Sequence, residues 1–299
     1  MKRLLLLLTL LSTVSAQTSS SADYLQQITQ FRTQRAKGLT APEGWFSLVA
    51  LHWLQPGDTT VGSASGNALR LEHVPAHLAI FHLANNTVTL AAPPGGFPAG
   101  TTVDGKPAAP VTLSYDDHHP SQLRNRGVLI LVIKRGDRLY LRVKDAQSPD
   151  RTAFHGLSWY PPEQRFVVTA KWTPHNPPRT LSMPNIIGLV ERDPSPGVAE
   201  FTLDGQTLRL EPVIEDPADK LLFFVFRDTT SKTTTYGAGR FLYTQYPSNG
   251  LDKPGTVVLD FNRAQNPPCA YTAYATCPLP APQNRLNIAI PAGEKRYHE

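Results

Sequence analysis

Short runs of alternating apolar and polar residues fill the chain from Asn67 to Asp145. They read NALRLE, HLAIFHL, NTVTLAA, APVTLSY and GVLILVIKRGDRLYLRVKD, and Gly, Pro, Asn and Asp separate them. Period-two alternation is the mark of a strand with one buried face. The last run predicts a hairpin turning at Arg135-Gly136-Asp137. Similar runs return after Gln164: RFVVTAKWT, NIIGLVE, VAEFTLDGQTLRLEPV, KLLFFVFRD, GRFLYTQY, GTVVLDFN and RLNIAI. Asp204-Gly205 supplies a two-residue hairpin turn among them.

One stretch follows a different period. In ADYLQQITQFRTQRAK (22–37), Tyr24, Leu25, Ile28 and Phe31 share one helical face. Ser20 with Asp23 gives a capping-box-like start, and Gly38 a stop. GWFSLVALHWL (Gly44 to Leu54) is apolar on both faces and is read as a buried strand. The 28 prolines suit turns and sheet edges rather than helix interiors. Prolines and aromatics from Ser148 to Gln164 mark a boundary. The pattern therefore predicts a mostly β protein. A helix and linker cover 17–43, a β-sandwich 44–150, and a second β-rich sandwich or barrel 151–299, with a Pro/Cys-rich loop at 262–285.

Residues 1–16 read as a signal peptide. Lys2 and Arg3 precede the apolar run Leu4 to Leu11, and Val14-Ser15-Ala16 is a small-residue cleavage site. That run is too short to span a bilayer, which needs about 20 residues. An exported protein, periplasmic or extracellular and without a stable membrane anchor after cleavage, is expected. The 29 basic and 24 acidic residues leave a net charge of +5 without any basic run, which argues against a nucleic-acid partner.

Candidate chemistry collects near the C-terminus. Cys269 and Cys277 are the only cysteines. In an exported chain a lone pair at this spacing is expected to form a disulfide. Around them stand Arg240, Asp260, Asn262, Arg263, Asn266, Asn284, Arg285 and Glu294. Arginine forks bind carboxylates and phosphates through paired hydrogen bonds, so this set is a candidate site for a small anionic ligand or peptide. Two alternatives stay open. Asp260 or Glu294 would serve a hydrolase as base, with Arg263 or Arg285 on an oxyanion. Otherwise the arginines pair with those acids and brace the loop of a structural envelope protein.

No metal or cofactor is expected. Asp116-Asp117-His118-His119 reads as a polar loop, and His52 as a hydrogen-bonded core histidine. The stretch from Gly100 to Lys106 imitates a phosphate-binding loop, but Pro107 replaces the hydroxyl residue such loops need. GAGRFL (Gly237 to Leu242) lacks the third glycine of a dinucleotide fingerprint.

Two family resemblances add to this reading. From Val61 to Asp145, the order Gly62-Ser63, Pro75-Ala76-His77 and VDGKP (Val103 to Pro107) resembles a forkhead-associated domain. Ser63 occupies the position where that family carries an arginine for phosphothreonine. TYGAGRFLY (Thr235 to Tyr243), VVLDFNRAQNPPCAYTAYATCPLPAPQNRL (Val257 to Leu286) and AGEKRYH (Ala292 to His298) resemble the bacterial family called domain of unknown function 1684. GWFSLVALHWLQPGDTTVGS (Gly44 to Ser63) and FHGLSWYP (Phe154 to Pro161) match it too. The likeness runs from about Tyr24 to His298. It implies that Asp260, Asn262, Asn266, Cys269, Cys277, Asn284 and Arg285 belong to the family's hallmark motif. Gln265 stands where an aromatic residue is expected. The family carries no assigned reaction, so the resemblance implies no catalytic residue.

Overall fold

The computed structural model describes residues 21–297. The signal-peptide reading of 1–16 and the capping role of Ser20 lie outside the described residues. The helix spans Ser21–Leu39 and buries Ile28 and Leu39. Among the described residues no helix is long and apolar enough to cross a membrane.

The next hundred residues form two facing sheets. The six-stranded sheet runs in the order Leu48–Trp53, Arg138–Asp145, Val128–Arg135, Gln122–Asn125, Thr102–Val103, Lys106–Pro107. The five-stranded sheet runs Leu69–Arg70, Gly57–Gly62, Ala79–Ala84, Thr87–Ala91, Val111–Leu113. Ile130, Val132, Leu141 and Val143 from the first meet Val61, Phe81, Val88 and Leu90 from the second in one core. Asp104 and Gly105 both take positive φ, as do Asn85 and Asn86. Each pair makes the tight two-residue turn that suits twisted strands. The Gly44 to Leu54 stretch is a strand only from Leu48 onward, since Trp45–Ser47 forms a short 3₁₀ turn.

Beyond the sandwich, Gln206–Leu210, Val190–Leu203, Val167–Pro184 and Gly255–Asp260 form a four-stranded antiparallel sheet. The two-residue turn at Asp204-Gly205 is present, with φ of 46° and 75°. The expected strand over NIIGLVE is not formed before Val190. Asn185 Oδ1 accepts the Ile187 and Leu189 N–H groups at 3.2 and 2.9 Å, and Gly188 has φ 83°. This side-chain-made turn closes a hairpin that extends Val167–Pro184 to 18 residues.

A separate hairpin, Leu221–Phe226 with Arg240–Gln245, is buried on both faces. Leu222, Phe224 and Phe226 pack on the four-stranded sheet. Phe223 and Val225 point the other way, toward Ala275, Cys277 and Ala281 of the C-terminal loop. Each such aromatic contributes about 1.5–3 kcal/mol by burial. The 262–285 segment has no long strand. It winds through three 3₁₀ turns, Phe261–Arg263, Pro268–Ala270 and Pro282–Asn284. Its Tyr271 ring reaches Phe46 of the sandwich side, 5.1 Å between centroids. Thr272 donates to the Leu48 carbonyl at 3.2 Å. The loop is thus the mortar between the two β units and the helix.

Candidate functional site

The polar residues singled out in the C-terminal motif are mostly consumed in holding that loop. Arg240 is fully buried against Asp228 and donates to the Ala292 and Ile290 carbonyls. Asp260 accepts the Asn262 N–H at 3.1 Å, the Tyr24 hydroxyl at 3.0 Å and Arg263 Nε at 3.0 Å. Asn262 accepts the Glu163 N–H and donates to the Glu163 carbonyl. Asn284 serves Glu211 and Val225 in the same way. Arg285 is exposed and donates to the Pro280 carbonyl at 3.2 Å. Bracing, the plainer of the readings above, is therefore the role these contacts describe.

Asp260 and Glu294 share no hydrogen-bond or ion-pair partner among the described residues. Glu294 is buried, accepts both the Asn266 backbone N–H and its side-chain amide, and takes the Tyr271 hydroxyl. Arg35 approaches it at 3.7 Å. Burial raises its carboxyl above the ordinary 4.5, against those donors.

The expected disulfide is corrected: Cys269 and Cys277 are free thiols. They are nevertheless adjacent, since the Cys269 N–H donates to Cys277 Sγ at 3.1 Å. The hydrogen bond from Cys277 lowers the Cys269 thiol, helped by Tyr236 and opposed by burial. The same contact and burial raise Cys277. The DDHH segment is a surface loop in which Asp116 caps the His118 and His119 N–H groups.

The sequence did not announce the main cavity. It has a volume of about 750 Å³ and lies where helix, sandwich, C-terminal sheet and loop meet. That size falls within the range of about 300–1,000 Å³ usual for small-molecule sites. Its floor is apolar and aromatic, with Trp45, Phe223, Phe241 and Tyr243. Three cationic residues of the sandwich hairpin, Lys134, Arg135 and Arg142, line one side, Arg35 enters from the helix, and Arg192 lies on the C-terminal sheet. Of the motif residues proposed from sequence, Asn266 and Cys277 reach this cavity.

The arginines from the helix and the sandwich hairpin differ in how they are occupied. Arg35 donates to the Asn266 carbonyl at 2.7 Å. Arg135 donates to Thr276 Oγ1 at 3.1 Å and its own neighbour's carbonyl at 2.7 Å, and lies 3.9 Å from the Asp117 carboxylate. Arg142 has no hydrogen-bond or ion-pair acceptor among the described residues, and its Nε is buried without a partner. Its guanidinium lies 5.6 Å from the Trp45 ring centroid. Burial, then the charge of Arg135, holds it down at about 10. It remains a cation at neutral pH. An unpaired half-buried cation is costly, and an incoming anion would relieve that cost.

The family model described as "Protein of unknown function (DUF1684)" matches residues 152–295. The chain belongs to this family. It is 31% identical to an uncharacterized protein of Haloarcula marismortui solved by NMR, over 50% of this chain and 80% of that one, with a TM-score of 0.42. A crystal structure of the FhaA forkhead-associated domain, complexed with an intracellular domain of another protein, aligns at 18% identity. It covers 31% of this chain and 97% of its own, with a TM-score of 0.21. No curated protein matches the sequence. The DUF1684 match takes in the lining residues Glu191, Asp193 and Glu215, the Phe223/Phe241 floor and the loop of the cavity. Arg35, Arg135 and Arg142 come from outside it.

Proposed function

We propose that the protein binds a small anion, a carboxylate or phosphate, in the junction cavity, with Arg142 as the principal contact. The motif arginines expected to grip the ligand serve instead as its frame. The observation that carries this reading is the Arg142 guanidinium, open to the cavity and without an acceptor among the described residues. Isothermal titration with phosphate, acetate and succinate tests it. Saturable heat with at least one of them, lost in Arg142→Gln, is the expected result. Identical titrations of the two proteins would refute the reading.

Export belongs to the same proposal. Lys2-Arg3, the Leu4 to Leu11 run and Val14-Ser15-Ala16 support it. N-terminal sequencing of protein recovered from its native compartment checks it. A start at Gln17 is expected, and an intact Met1 would contradict it.

A further inference from the structure

The cavity carries four carboxylates: Asp117 beside Arg135, and opposite it three more, Glu191 and Asp193 on the strand Val190–Leu203 and Glu215 just after Ile214. The last three form the acidic side. Glu191 and Asp193 are two apart on one strand and so share a face. None of the three makes a salt bridge among the described residues, although Arg192 lies between two of them on the same strand. Glu191 accepts only the Asn185 amide at 3.1 Å, and Glu215 the Tyr243 hydroxyl at 3.0 Å.

Charge is largely sorted by side: the exceptions are Asp117, 3.9 Å from Arg135, and Arg192 on the acidic strand. Among the charged groups that act on Glu215 are Asp193, Glu191 and Asp219, which repel its ionised form, while the Tyr243 hydroxyl favours it. On the other side Arg135 acts likewise on Arg142. Burial comes first in both cases, raising the acid and lowering the base. Tyr243 lies within reach of both sides, bonded to Glu215 and influenced by Arg35. A cavity that only had to hold an anion would gain nothing from three unpaired carboxylates, since their charge repels the ligand.

We propose that the ligand is a zwitterion of the amino-acid or short-peptide class, its carboxylate at Arg142 and its ammonium at Glu215 and Asp193. This rests on the anion-site reading above and adds the cationic end. The aromatic floor of Phe223, Phe241 and Tyr243 suits the apolar body between the two charged ends.

The test is a competition among three peptide sets on the purified protein, followed by thermal shift and calorimetry. One set of dipeptides has free termini, one is N-acetylated and one is C-amidated. Free dipeptides are expected to bind, and acetylation to weaken them at least tenfold. Glu215→Gln keeps an acceptor for Tyr243 and should bind free and acetylated peptides alike. Asp193→Asn serves as a second variant for the same readout. If acetylated peptides bind as tightly as free ones in the wild type, the zwitterion proposal is wrong while the anion site stands. If amidated peptides bind as tightly as free ones, the anion reading itself fails. Silence from all three sets overturns the zwitterion proposal, and phosphate or succinate heats then decide the anion site separately.

Discussion

Asn284 grips the backbone of Glu211 from both sides. Its Oδ1 accepts the Glu211 N–H at 2.9 Å and its Nδ2 donates to the Glu211 carbonyl at 2.8 Å. A third bond reaches the Val225 carbonyl at 3.0 Å. One side chain from the loop thus closes the end of the Gln206–Leu210 strand and the side of the Leu221–Phe226 strand. Asn284→Ala leaves these buried groups unsatisfied, each at about 1–3 kcal/mol. A loss of about 2–4 kcal/mol in urea unfolding is expected. A loss below about 0.5 kcal/mol would show that the clamp is ornamental.

Glu211 predicts how stability responds to acid. Burial alone would raise its carboxyl. Donors from Arg179, Gln283, Ser195 and His175 together outweigh that and hold it at about 2. The folded value lies below the ordinary 4.5, so the stabilisation is complete above that pH. It is lost as pH falls from 4.5 toward 2. Wild type should lose about 1–3 kcal/mol more than Glu211→Gln across this window. Parallel curves of unfolding free energy against pH would contradict the assignment. Glu294 acts with the opposite sign: its raised carboxyl costs stability as pH climbs above 4.5.

Gly293 sets the approach of the C-terminal tail. Its φ is 77°, and a Cβ there would lie 2.4 Å from the Ala264 carbonyl oxygen and 2.8 Å from that of Phe261. The tail must come this close because the Glu294 N–H donates to the Ala264 carbonyl at 2.8 Å. Gly293→Ala meets backbone on two sides and a left-handed φ, so a loss of about 2–4 kcal/mol is expected. Thermal unfolding of the variant at wild-type temperature would show that the tail can shift without penalty.

The two-residue periodicity revealed most strands because each sheet has a buried face and turns rich in Gly, Asn and Asp. It misled at Ile186 and Ile187, where apolar residues in a β-like run are exposed on a turn that the Asn185 side chain builds. The loop's stiffness was legible in its prolines. Its bracing was legible only as an alternative, because pairing of Arg263 with Asp260 three residues away is local, whereas the Asn266–Glu294 and Asn284–Glu211 contacts span 28 and 73 residues. The cavity was not legible. Alternation in LYLRVKD correctly turns Arg142 away from the sandwich core. What covers that face is a separate β unit, and no local pattern encodes the docking of one unit on another.

Arg142 is the cavity arginine whose Nε is buried without a partner. In a ¹H–¹⁵N spectrum its Nε–H signal can be assigned as the peak absent from Arg142→Gln. Titrating phosphate or succinate into the wild type should move that peak saturably while the Nε–H signal of Arg240, locked against Asp228, stays in place. A stationary Arg142 peak, with other arginine signals moving instead, would contradict the proposed site.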